Sequence, residues 1–107
     1  MSEGRKDDGG KLRMDLLAPE AIKGVAEVLT YGAAKYDDRN WEAGIRWGRV
    51  FAALMRHLWK WWGGEDFDEE SGLHHLDHAA CCLHFLQTYR HTKKSFDDRP
   101  YTKGEQG

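Results

Sequence analysis

The sequence is poor in several features that would place it in common protein classes. Its 107 residues contain two cysteines, Cys81 and Cys82. Because neighbours on a helix point about 100° apart, a structural disulfide between them is not expected. No apolar run approaches the length of a membrane span, and residues 1–6 contain no apolar signal core. These absences predict a cytoplasmic protein without a membrane partner.

The chain also lacks a large excess of positive or negative charge. The formal net charge is −2, whereas a general nucleic-acid-binding protein would usually be basic overall. We therefore expect no stable complex with nucleic acid. No serine or cysteine lies in a nucleophile motif, and Gly9-Gly10-Lys11 lacks the phosphate-loop pattern. A chain of this length fits one domain with a modest core.

Three helices are predicted from the spacing of apolar residues, and no strand pattern is present. The first begins near Pro19, which suits a first helical position, and ends near Tyr36. The second runs from about Trp47 to Trp62 and stops at two glycines. The third starts after Ser71, a good N-cap, and continues to about Tyr89 or His91.

The predicted class is therefore all-α. A helical domain over residues 17–92 would follow a polar arm over residues 1–16. A polar tail over residues 93–107 would fray or lie on a partner. Three helices are too few to close a good bundle alone, so we expect oligomerisation to complete it.

The second helix has two unusual faces. Its apolar arc covers roughly half the circumference, which is more than a helix on a monomer surface needs, and this favours a homo-oligomer. The other face carries Arg49, Arg56, His57 and Lys60 without acidic partners one turn away. A solvated stripe would more often mix charges of both signs, so an anion site is an equal alternative to a solvated face.

Carboxylates and histidines are concentrated between the second and third helices. Residues 65–70 include five carboxylates, and His74, His75 and His78 follow. Oxygen ligands of this density suit Mg²⁺ or Mn²⁺, and imidazole widens the choice toward Mn²⁺, Fe²⁺ or Zn²⁺. Histidines three or four residues apart on a helix can reach one ion. Alternatively, the acids complement the helix dipole and the histidines are interface residues.

The connector between the first two helices contains Arg39, Asn40 and Trp41. Such a set can stack on a base and bind its edge or a phosphate. The alternative, an aromatic plug with a capping asparagine, is at least equally compatible with the sequence.

Several short motifs resemble the phage and bacterial dATP/dGTP diphosphohydrolase N-terminal domain family. The resemblance covers roughly residues 6–90, and its motifs are Leu16-Leu17-Ala18-Pro19-Glu20-Ala21, Tyr31-Gly32-Ala33-Ala34-Lys35-Tyr36, Arg39-Asn40-Trp41, Arg56-His57-Leu58-Trp59, Gly64-Glu65, Ser71-Gly72 and His75-Leu76-x-His78-Ala79.

The resemblance implies a MazG-like all-α nucleoside triphosphate pyrophosphatase fold that works as a dimer or tetramer. It also implies hydrolysis of a deoxynucleoside triphosphate to the monophosphate and pyrophosphate with Mg²⁺ or Mn²⁺. Related MazG-like enzymes carry two helical carboxylate pairs. Here Glu65-x-x-Asp68 has one such spacing, but no clear helical Glu-x-x-Glu is present.

The leading hypothesis is metal-dependent hydrolysis of a purine deoxynucleoside triphosphate. The candidate catalytic residues are His57, Glu65 and Asp68. The candidate substrate-binding residues are Lys35, Arg39, Asn40, Trp41, Arg56 and Lys60. The candidate metal ligands are Glu65, Asp68, Glu69, His75 and His78. Two alternatives stay open, namely a non-catalytic nucleotide-binding sponge or sensor of a phage-defence signal, and a structural helical adaptor.

Overall fold

The fold of the chain is given by a computed structural model, which describes residues 3–101 and residue 103. Helix α1 spans Pro19–Tyr36, α2 spans Trp47–Trp62 and α3 spans His75–Thr92. Over the described residues no strand occurs, and β-type pairing is limited to an isolated bridge between Phe67 and His74. The predicted all-α class and the bounds of α1 and α2 are confirmed.

The start of α3 differs from the prediction, because Ser71 is not its N-cap. The N-cap is His74, whose Nδ1 atom accepts a hydrogen bond from the Leu76 backbone N–H. Before it, the chain turns at Gly72, which has a φ of +73°, and the His75 N–H donates to the Asp66 carbonyl. Hydrogen bonds thus hold residues 66–74 in a closed loop, and α3 begins at His75, later than predicted.

Helix α3 organises the core, since it packs against both α1 and α2. Its buried side chains include His75, Ala79, Cys81 and Tyr89, and α2 contributes Val50 and Leu54. None of the described helices is long and apolar enough to cross a membrane.

The first part of the polar tail packs on the chain itself, although we expected it to fray or to lie on a partner. A short 3₁₀ helix, Lys94–Phe96, places the Phe96 ring against Gly44. Two residues later, Asp98 Oδ1 accepts a hydrogen bond of 2.7 Å from the Gly48 backbone N–H, in the first turn of α2. The carboxylate thus satisfies a free donor at the positive end of the helix dipole.

Replacing Asp98 by alanine should lower the free energy of unfolding by about 0.5–2 kcal/mol, the usual cost of losing a helix cap. Urea denaturation followed by circular dichroism measures this change. Asp98→Asn keeps an oxygen acceptor and should retain most of the stability. Equal stability of the alanine variant and the wild type would show that the contact contributes nothing.

Helix α2 leaves an apolar stripe uncovered. Phe51, Trp59 and Trp62 lie within about 80° of one another around the helix axis, and each is more than half exposed. We call these three side chains the aromatic stripe.

Candidate functional site

A groove of about 1340 Å³ lies between the C-terminal half of α1, the α1–α2 connector, and the facing sides of α2 and α3. Basic side chains from several elements line it. They are Lys35, Arg39, Arg49, Arg56 and Lys60. His57, Asp68 and His78 also line the groove, and we call this cluster of side chains the groove head.

The cations of the groove differ in their partners. Lys35 Nζ lies 3.1 Å from a Glu70 oxygen, and Arg39 lies 2.6 Å from a Glu42 oxygen. All four side chains are at least 39% exposed, so these pairs are weak and exchangeable. By contrast, the three cations of α2 form no salt bridge with any residue that the structure describes. Their charge is therefore available to an anionic ligand.

The connector residues form a fixed aromatic wall. The Trp41 ring stacks on Phe85 with centroids 4.6 Å apart and planes 9° apart, and the Tyr89 hydroxyl donates to the Trp41 carbonyl. One face of the indole is thus covered by the protein. Asn40, at the start of the 3₁₀ helix Asn40–Ala43, is exposed and lines the same groove.

A chain of polar contacts runs behind the groove head. His57 Nδ1 lies 2.9 Å from His75 Nδ1, and His75 Nε2 lies 2.5 Å from Glu65 Oε2. His75 is fully buried. Because a carboxylate can only accept, the Nε2 atom of His75 carries the proton of this contact. In the neutral ring, this leaves a lone pair on the Nδ1 atom that faces His57.

Ser71 holds the other two groups of the groove head. Its backbone N–H donates to Asp68 Oδ2 at 2.8 Å, and its hydroxyl lies 2.7 Å from His78 Nε2. The His78 ring in turn stacks on His57, with centroids 4.4 Å apart. One ligand atom each of His57, Asp68 and His75 lies within 4.8 Å of the others.

The protonation states of the groove-head side chains suit the binding of a metal ion. Burial lowers the pKa of His57 to about 4, helped by the neighbouring His78 and His75, and burial also lowers the pKa of His78. Burial is the largest single effect and acts to raise the pKa of Asp68, but hydrogen bonding by Ser71 together with the neighbouring His78 and His57 outweighs it, and the pKa is lowered. At neutral pH the groove head therefore holds uncharged imidazoles and an ionised carboxylate, the forms that bind metal ions.

The structure brings most of the sequence-derived candidates together. Nine of them line the groove, namely Lys35, Arg39, Asn40, Trp41, Arg56, His57, Lys60, Asp68 and His78. Glu65 and His75 do not line it, but His75 contacts His57 and Glu65 contacts His75. Glu69 is exposed and lies outside the groove lining.

Two contributors escaped the sequence reasoning. The sequence predicts Ser71 as a helix N-cap, whereas in the structure it hydrogen-bonds Asp68 and His78. Ser71 and His78 are seven residues apart, which would place them on one face of a continuous helix. The sequence could not reveal their contact in this way, because α3 begins only at His75. Phe85, which supports Trp41, was visible only as an apolar residue of the third helix.

The two cysteines line the groove but are poor nucleophiles. Burial raises the pKa of Cys81 to about 12 and that of Cys82 to about 11. Both thiols therefore stay protonated at neutral pH, and a thiolate reaction in this groove is not supported.

The raised thiol pKa values predict a loss of stability in alkali. The stabilising contribution is fully present below the unfolded-state pKa of about 8.5 and is lost as pH rises toward the folded-state value. Between pH 8 and pH 10 the free energy of unfolding should fall by at least about 1 kcal/mol more in the wild type than in a Cys81→Ala/Cys82→Ala variant. Urea titrations at the two pH values measure this, and parallel losses would contradict it.

Comparison with known proteins defines the family. Residues 1–99 match the family model described as dATP/dGTP diphosphohydrolase, N-terminal, and the chain belongs to this family.

One relative is a protein of Salmonella phage PMBT28 named dATP/dGTP diphosphohydrolase, which is 36% identical over 104 residues. The match covers 97% of this chain and 36% of that protein, so the chain spans about a third of its relative. No solved structure shows a significant match.

Proposed function

We propose that the chain hydrolyses dATP or dGTP to the monophosphate and pyrophosphate in the groove, with Mg²⁺ or Mn²⁺ as cofactor. One observation carries the proposal: unpaired cations, an aromatic wall and a histidine–carboxylate cluster line the same groove. Membership of the family supports the choice of substrate.

The phosphates would lie along the basic face of α2. Arg49, Arg56 and Lys60 supply positive charge that no described acid neutralises, and charge-assisted hydrogen bonds to phosphate are among the stronger ones. Lys35 and Arg39 could exchange Glu70 and Glu42 for phosphate oxygens, because both ion pairs are exposed.

The base would lie on the connector. The face of Trp41 that Phe85 does not cover can stack on a purine, and stacking of a base on an aromatic ring contributes about 1–3 kcal/mol. The Asn40 amide can both donate to and accept from a base edge.

Hydrolysis at the α-phosphorus needs an attacking water, and it releases pyrophosphate as the leaving group. A bound divalent cation would supply charge neutralisation on the phosphates and would lower the pKa of the water. The proton of that water requires an unprotonated acceptor at the groove head. Burial lowers the pKa of His78, so this ring is unprotonated at neutral pH and supplies such an acceptor, while Ser71 fixes the positions of His78 and Asp68.

Incubation of the purified chain with each deoxynucleoside triphosphate and Mn²⁺ or Mg²⁺ tests the proposal. The expected products from dATP or dGTP are equal amounts of monophosphate and pyrophosphate, separated by anion-exchange chromatography. Release of single phosphate, or recovery of every nucleotide intact, would contradict it.

A non-catalytic nucleotide-binding role is the second candidate. It is favoured by the scarcity of carboxylates at the groove head, since Glu65 is engaged by His75 and Glu69 lies outside the groove lining. A binding protein of this kind would return the nucleotide unchanged after denaturation, so the same incubation separates the two functions.

We also propose that the aromatic stripe binds a second copy of the chain. Aromatic side chains bury about 150–250 Å² each when they are fully covered. Because the three are 54–78% exposed, they would supply the apolar centre of an interface, and surrounding residues would supply the rest of the roughly 800 Å² per partner of a standard one. Trp59→Lys should halve the mass measured by light scattering after size exclusion, whereas Glu27→Arg, an exposed change on α1, should not. A monomeric wild-type chain would contradict self-association.

A further inference from the structure

We infer that His57 and Asp68 of the groove head, together with the buried His75 behind it, hold a first-row transition-metal dication. This inference deepens the proposed function by naming the ligands and the class of ion. It rests on that function for the role of the ion, whereas binding of the ion can be measured without nucleotide.

The separation of the two imidazole nitrogens is the first observation. His57 Nδ1 and His75 Nδ1 lie 2.9 Å apart. Two nitrogens that bind one ion at right angles, each at about 2.0–2.1 Å, are separated by about 2.9 Å. A hydrogen bond between two nitrogens has a similar length, so the experiment has to separate the two interpretations.

The orientation of His75 is the second observation. The histidine is fully buried, and its Nε2 atom contacts Glu65 at 2.5 Å. Metal-binding histidines usually donate the other ring N–H to a carboxylate, which fixes the tautomer and makes the ligand nitrogen more basic. Glu65 is thus a positioning residue for His75, and the stacked ring of His78 fixes the plane of His57.

Asp68 completes the set. Its carboxylate shares the 4.8 Å cluster with both histidines, and Ser71 N–H bonds only Oδ2, which leaves Oδ1 available for an ion. Two histidines and one carboxylate bind a six-coordinate ion while leaving positions open for substrate. Imidazole suits Fe²⁺, Ni²⁺, Cu²⁺ and Zn²⁺, and carboxylate suits Mn²⁺, whereas Mg²⁺ prefers a site made of oxygen ligands and water. The mixed donor set therefore favours a transition metal.

Titration of the full chain with Mn²⁺ tests the inference, with free Mn²⁺ counted by electron paramagnetic resonance. We expect one ion per chain, which a tenfold excess of Mg²⁺ does not displace. His57→Ala and Asp68→Asn should each weaken binding at least tenfold. His91→Ala, a change at the exposed end of α3, should leave it unchanged. Circular dichroism checks that the variants are folded, and Asp68→Asn keeps the shape of the side chain if His57→Ala does not fold.

The role of Glu65 has its own readout. Glu65→Ala should raise the Mn²⁺ dissociation constant about 10–100-fold. Glu65→Gln keeps an oxygen that can accept from His75 Nε2, and it should restore most of the affinity. A purely structural role of Glu65 would leave the affinity of both variants at the wild-type value.

The outcomes distinguish this inference from the proposed function. Stoichiometric Mn²⁺ binding that depends on His57 supports the site even if no nucleotide is hydrolysed, in which case only the proposed function fails. Absence of Mn²⁺ binding, or unchanged binding in His57→Ala, overturns the site and leaves the histidines as a hydrogen-bonded pair. If pyrophosphate is nevertheless released with Mg²⁺ in that case, the proposed function stands.

Discussion

Asp68→Asn is expected to lower the rate of pyrophosphate release from dGTP by about 10²–10³-fold. The loss of a preorganised electrostatic group in an active site typically costs this much. The substitution preserves the size of the side chain and an oxygen that can accept from Ser71 N–H, so it removes charge and little else. Steady-state kinetics at saturating nucleotide with Mn²⁺ measures the effect on kcat.

The matched control for this variant lies two residues away. Asp66 carries an exposed carboxylate in the same loop and does not line the groove. Asp66→Asn should keep the wild-type kcat, which shows that the loss at position 68 is not a general effect of lower negative charge. Retention of more than a tenth of the activity in Asp68→Asn would remove this carboxylate from the mechanism.

Gly44→Ala should lower the free energy of unfolding by about 3 kcal/mol. Gly44 has a φ of +109°, and an added Cβ would lie 2.8 Å from two Phe96 ring atoms. A residue with a side chain in such a backbone conformation costs about 1–3 kcal/mol, and overpacking adds about 1–3 kcal/mol. Urea denaturation measures the change.

Two further variants isolate the causes at position 44. Gly32→Ala adds a Cβ in a helix where no atom lies within 4 Å, so it should be neutral or stabilise by up to about 1 kcal/mol. Phe96→Ala in the Gly44→Ala background removes the clash but not the backbone strain. The double variant should therefore lose less additional stability than Phe96→Ala alone would predict. If the loss of unfolding free energy in the double variant equals the sum of the losses in the two single variants, the added Cβ does not clash with the Phe96 ring.

The first two helices were predictable because their ends are set by local chemistry. Pro19 fits the first turn of α1, and the glycines after Trp62 end α2. The start of α3 was not predictable in the same way. It depends on a turn at Gly72 and on the pairing of Phe67 with His74, which are contacts that capping preferences alone do not reveal.

The candidate site also has a part that local sequence predicts and a part that depends on tertiary packing. The basic face of α2 could be read from the spacing of Arg56, Lys60 and their neighbours, since helical periodicity is local. The contact between His57 and His75 joins two helices across 18 residues of sequence, and it depends on how α2 and α3 are aligned. The packing of residues 94–99 on the start of α2 is likewise set by tertiary structure, through Asp98 and Gly48.

A crystal of the chain grown with Mn²⁺ and a non-hydrolysable dGTP analogue gives the most direct test of the central claim that ion and triphosphate share the groove. We predict an anomalous Mn²⁺ peak among His57 Nδ1, His75 Nδ1 and the Asp68 carboxylate, with the phosphates along Arg56 and Lys60. A nucleotide bound elsewhere on the chain, or a peak remote from these side chains, would contradict it.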